Sequence, residues 1–144
     1  MTRPMKASLT GLAAVAVLAG AAPASAQTEL EDAVRLARTA WLQHDVEALV
    51  EHSDTVRLRL PGVGASASLQ PEQASRLLAR YLEPSQERGF DLVGLRRLAD
   101  DHAYAEVARR YVVKGTEDEL AETVFLGFRF LGGAWRLREV RVTP

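Results

Sequence analysis

The residues of this 144-residue chain with the most chemical potential are Arg109, Arg110 and Tyr111, two guanidiniums and a phenol at consecutive positions. Alternation puts Ala103, Ala105, Val107, Arg109, Tyr111 and Val113 on one side of a strand and Tyr104, Glu106, Ala108, Arg110 and Val112 on the other, so charge interrupts both faces. An unpaired buried guanidinium is expensive. Arg109 or Arg110 must therefore pair across the sheet with Glu106, Glu122 or Asp91, lie exposed on the convex face, or line a wet pocket. The remaining candidates are weaker. His44 and His52 are eight residues apart, which matches no compact ligand pair, and no metal site is expected. Ser66 and Ser68 lack a Gly-x-Ser-x-Gly setting and a base, and Gly62-x-Gly64 lacks the third glycine of a dinucleotide loop and reads as a turn. Asp54 follows Ser53 in a helix-to-strand turn, Asp91 alternates outward against Phe90 and Leu92, and His102 sits on a hairpin after Asp100-Asp101. No motif in the sequence calls for a cofactor.

The elements that must position these residues can be read from periodicity. Leu30, Ala33, Val34, Ala37, Ala40 and Trp41 recur at three and four residues, the stripe of an amphipathic helix, with Glu29, Glu31 and Asp32 expected in its first turn. Asp45 can cap a short helix through Val46, Leu49 and Val50. Thr55 to Leu60 alternates strictly, with Val56, Leu58 and Leu60 on the buried side. A short extended piece near Ser66 to Leu69 leads into a third helix. There Pro71 suits the first position, Gln73 can reach back to the cap, and Ala74, Leu77, Leu78 and Tyr81 form the buried stripe. Four strands are then expected at about 90–98, 102–114, 119–131 and 134–142, joined by short turns and so forming an antiparallel meander. In the last strand Trp135, Leu137, Val140 and Val142 slip phase once. A β-bulge between 138 and 139 would restore one buried face; without it Glu139 points inward.

This order predicts an α+β domain with N-terminal helices packed on a strongly curved antiparallel sheet. It resembles the nuclear transport factor 2-like superfamily, the cystatin-like cone fold that includes ketosteroid isomerase and polyketide-cyclase relatives. The resemblance rests on Asp45-Val46-Glu47-Ala48-Leu49 leading into Thr55 to Leu60, on Gln73-Ala74 opening the third helix before Phe90, and on Gly133-Ala134-Trp135-Arg136-Leu137. It is similar in particular to small exported bacterial members of unassigned function. The resemblance implies a cone whose mouth can hold a small apolar ligand, and in its enzymes an acid or base inside the cone. Arg109 and Tyr111 would then be polar handles of an anion-binding mouth, with Trp41 and Tyr81 as apolar walls. Asp54 lies near the place where such enzymes carry a base. Two functional readings follow. One is a non-catalytic domain that binds a small molecule or a protein partner, with a homodimer through the outer sheet face and an apolar patch around Phe125 and Leu131. The other is a small cofactor-independent isomerase, dehydratase or hydrolase using Asp54, His102 or Tyr104.

Residues 1–26 read as a signal peptide: Arg3 and Lys6, an apolar run from Leu9 to Ala22, and the small-x-small site Ala24-Ser25-Ala26. Residues 27–144 would then form a single domain, exported to the periplasm or the medium, with no membrane association after cleavage. Without Arg3 and Lys6 the domain has 16 basic and 19 acidic residues, with Lys114 its one lysine. That balance, with acids interleaved and few aromatics, argues against nucleic-acid binding. The absence of cysteine means that packing alone stabilises the domain.

Overall fold

The computed structural model describes residue 2 and residues 21–144. The charged end and most of the apolar run of the signal reading, including Arg3, Lys6 and Leu9, lie outside the described residues. Among the described residues, α1 (Ala21–Leu42) is followed by α2 (Val46–Val50), β1 (Arg57–Leu60), β2 (Gly64–Ala65), α3 (Pro71–Leu82), β3 (Ser85–Ala99), β4 (His102–Val113), β5 (Glu119–Leu131) and β6 (Ala134–Thr143). The first helix starts earlier than expected. Its alanine-rich opening favours helix, so Glu29, Glu31 and Asp32 fall beyond the first turn.

The helix ends in a Schellman motif, in which His44 N–H donates to Trp41 C=O at 2.9 Å and Asp45 N–H to Ala40 C=O at 2.8 Å. His44 occupies the left-handed position of that motif, φ 54°, which usually falls to glycine or asparagine. The turn delivers Asp45 to α2, where its carboxylate accepts from Ala48 N–H at 3.2 Å. In α3, Gln73 accepts from Gln70 N–H at 3.3 Å, the expected reach-back.

The sheet has six strands in the order β2-β1-β6-β5-β4-β3. The meander β3 to β6 is antiparallel as expected, while β1 joins its edge parallel to β6, pairing Leu58 with Val140. The extended piece after β1 is anchored by the Val56–Leu69 bridge and by Ser66, whose hydroxyl accepts from Leu58 N–H at 2.8 Å. Register shifts supply the curvature. Gly127 faces Glu139 and Phe128 faces Leu137, so Arg138 is the extra residue of the expected bulge, and Arg88, Val93 and Leu98 are extra in β3. Trp135, Leu137, Val140 and Val142 are all buried as a result, and Glu139 lies on the outer face. The core between helices and sheet is dense: Trp41, Leu78, Phe90, Val107, Leu126, Phe128 and Trp135 fill the inside of the cone.

Candidate functional site

Arg109 faces into the cone at the middle of β4, between Phe90 on β3 and Glu122 on β5, its direct cross-strand neighbours. Its side chain is 1% exposed. The guanidinium grips Glu87 with two bonds, Nε to Oε2 at 3.0 Å and Nη2 to Oε1 at 2.6 Å, and its Nη1 reaches Glu122 Oε1 at 3.4 Å. Both carboxylates are buried beside it. Glu87 also accepts from Trp41 Nε1 at 3.2 Å and contacts His44 Nε2 at 3.1 Å. Aromatic faces enclose the cation: its central carbon lies 3.9 Å from the Tyr111 ring centre and 5.5 Å from those of Trp41 and Tyr81. Trp41 is itself stacked on Phe90, with centroids 4.6 Å apart.

The four residues expected at the mouth, Trp41, Tyr81, Arg109 and Tyr111, therefore converge on one cluster, but with different roles. Arg109 is saturated by carboxylates rather than held out for an anion, and Trp41 is buried behind it rather than forming a wall. An opening of about 360 Å³ lies in front of the cluster. Its sides are Val63, Leu77, Pro84 and Val113, and its floor is Tyr81, Tyr111, Glu122 and the edge of Arg109. Arg80 stands at its rim.

Of the expected pairing partners for the two arginines, Glu122 serves Arg109, Asp91 serves Arg110 at 3.8 Å, and Glu106 serves neither. Arg110 pairs also with Glu119 at 3.1 Å, on the outer face. Glu87, the principal partner of Arg109, escaped the sequence reading because β3 was expected to begin at Phe90. The strand begins at Ser85, and the bulge at Arg88 turns Glu87 inward opposite Tyr111.

The three proposed acid-base residues all lie outside the cone. Asp54 is 74% exposed and 3.9 Å from Arg138. His102 sits on the β3–β4 hairpin beside Asp101. Tyr104 is on the outer face, its hydroxyl donating to Glu139 at 2.7 Å, and its ring covers Gly127, where a side chain would meet Tyr104 Cε1 at 3.1 Å. Among the described residues no three metal-ligating side chains converge: His44 turns to Glu87 and His52 to Glu51. The expected apolar patch is also displaced. Phe125 is covered by Arg141, 4.6 Å from its ring, and Val93 and Leu98, the extra residues of two β3 bulges, are exposed apolar residues.

Each of the three tyrosines has its pKa raised by burial and by a glutamate. Tyr81 donates to Glu122 at 2.5 Å; burial, then this bond, raises its pKa far above the usual value. Burial and the same Glu122 push Tyr111 up to about 12. Tyr104 is raised by burial and by Glu139. The native state thus holds phenol protons that the unfolded chain releases near pH 10. Their contribution to stability is complete below pH 10 and is lost as pH rises toward 12 and beyond. Absorbance at 295 nm should show little tyrosinate at pH 10.5 and a cooperative rise coinciding with unfolding; three independent titrations centred near pH 10 would contradict this geometry.

The same helix order, bent sheet and internal cone occur in solved structures. A ketosteroid isomerase-like protein from Erwinia carotovora atroseptica superposes with a TM-score of 0.66 at 17% identity, over 80% of this chain and 92% of that one. The chain adopts the nuclear transport factor 2-like fold. A candidate dehydratase of the nuclear transport factor 2-like family from Streptomyces avermitilis gives 0.66 at 16% identity, over 85% and 97% of the two chains. A protein with a ketosteroid isomerase-like fold from Catenulispora acidiphila, in complex with trimethylamine, gives 0.59 at 20%, over 78% and 85%. No protein-family model matches the chain, and no curated protein matches it. At these identities the likeness establishes the nuclear transport factor 2-like architecture and leaves function to the site.

Proposed function

We propose that the chain is an exported, non-catalytic binding domain whose nuclear transport factor 2-like cone takes a small, mainly apolar molecule at its mouth. The observation that carries this reading is the state of the ionisable groups inside the cone. The oxygens of Glu122 are engaged by Arg109 and Tyr81, and those of Glu87 by Arg109, Trp41 and His44. Carboxylates so committed hold the core together and are poorly placed to take a proton from a substrate. What remains in front of them is an opening with apolar sides and a hydrogen-bonding floor, the composition of a binding pocket. Export rests on the charged end, apolar run and Ala24-Ser25-Ala26 of the sequence.

The neutral fluorophore N-phenyl-1-naphthylamine tests the mouth. Its emission should rise on adding the protein, and Leu77→Trp, which fills the opening from α3, should weaken binding at least tenfold while the fold persists by circular dichroism. Equal binding by a folded Leu77→Trp protein, or no binding by the parent, would remove the reading.

A further inference from the structure

The outer face of the sheet carries a group of arginines without ion-pair partners among the described residues. Two cross-strand rows run over it: Arg57, Glu139, Gly127, Tyr104 and Arg96, and beside them Arg59, Arg141, Phe125, Glu106 and Gly94. Arg57, Arg59, Arg96 and Arg141 make no ion pair among the described residues, and Glu139 is bonded to the Tyr104 hydroxyl. Arg59 sits directly opposite Arg141, a like-charge neighbour that disfavours the pairing of β1 with β6.

Arg141 is the focus of this face. Its guanidinium lies over Phe125, with the central carbon 4.6 Å from the ring centre, and its buried Nε–H has no hydrogen-bond partner among the described residues. A buried unsatisfied donor costs free energy that an acceptor would recover. An opening of about 410 Å³ lies against it, lined by Leu95, Leu98, Phe125, Arg96, Arg141 and Tyr104. Glu106, between Phe125 and Gly94 in the second row, also lines it and disfavours multiply charged ligands.

We propose that this face holds a second binding site, separate from the cone mouth, for a small organic monoanion with an apolar tail, of which an alkyl carboxylate is the simplest case. The guanidiniums of Arg141 and Arg96 receive the carboxylate, for which their forked donors are matched. The tail lies on Leu98 and Phe125, and the Arg59–Arg141 repulsion is relieved when the anion binds.

Octanoate is the probe, followed through backbone amide shifts of the isotope-labelled chain. Shifts should concentrate at Gly94, Leu98, Tyr104, Phe125 and Arg141. Arg141→Gln should weaken binding at least tenfold, and exposed Arg96→Gln, which leaves the fold intact, by severalfold. Octanol should bind at least tenfold more weakly than octanoate. Equal binding of octyltrimethylammonium would overturn the proposal, as would octanoate shifts centred on Tyr81 and Tyr111. So would shifts of this face that grow with protein concentration alone, which would mean that a second copy covers it. Because the cone-mouth reading uses a neutral probe and Leu77→Trp, each site can fail without the other.

Discussion

Arg109→Met should destabilise the domain by about 3–5 kcal/mol, the range found when one partner of a buried ion pair is removed and the other charge is left behind. Glu87 and Glu122 face this arginine with side chains only 3% and 9% exposed, so water cannot replace the lost guanidinium. For a domain of this length the loss amounts to a fall in Tm of roughly 10–20 °C, and urea unfolding measures it directly. The cost belongs to the stranded carboxylates more than to the missing bonds. Glu87→Leu combined with Arg109→Met should therefore recover about 1–3 kcal/mol relative to Arg109→Met alone, because the apolar pair needs no neutralisation. If Arg109→Met costs under about 1 kcal/mol, or if the second substitution only adds to the damage, the pair is not the coupled buried unit described above.

The route to Arg109 also shows what the sequence could carry. Strict alternation from Ala103 to Val113 was enough to put Arg109 and Arg110 on opposite faces and to require a partner, exposure or a wet pocket for them, because strand parity is local and burial of charge is costly, but it did not say which face turns inward. Glu122 was among the expected partners, since the short Gly115–Asp118 connection limits the register of β4 with β5. Glu87 was invisible for a physical reason. Ser85-Gln86-Glu87-Arg88-Gly89 is polar throughout, and the bulge at Arg88 shifts the phase of the strand, so no period of two marks its inward face. The parallel seating of β1 against β6 was equally illegible, because it depends on where a long connection returns the chain rather than on either strand's own pattern. The slip in β6 was readable because both sides of it are apolar: Leu137 and Val140 must each be buried, and only an extra residue allows that.

The tyrosines follow the same division. Tyr81 sits on the helical stripe expected for α3, yet its hydroxyl finds Glu122 across the cone, 41 positions away. Neither residue signals the other along the chain. A buried phenol needs an acceptor, and the fold decides which one it gets. The conversion of a supposed anion handle into an internal ion pair has the same origin: two glutamates from different strands reach Arg109 before any ligand can.

Trp41→Ala is expected to rival Arg109→Met in effect, at about 3–5 kcal/mol, since it removes a fully buried indole from the centre of the core. Three losses coincide there. The stack on Phe90 disappears, the ring facing Arg109 goes with it, and Glu87 loses an N–H donor while keeping Arg109 and His44. Trp41→Phe separates volume from hydrogen bonding. Phenylalanine keeps an aromatic face against Phe90 and most of the apolar contact, so the remaining cost should be about 1–2 kcal/mol, combining the lost N–H bond with a smaller cavity. If Trp41→Phe proves as damaging as Trp41→Ala in urea unfolding, the indole N–H to Glu87 dominates and the polar cluster outweighs core packing at this position. If Trp41→Phe is neutral, Arg109 and His44 already satisfy Glu87, and Trp41 acts through its volume alone.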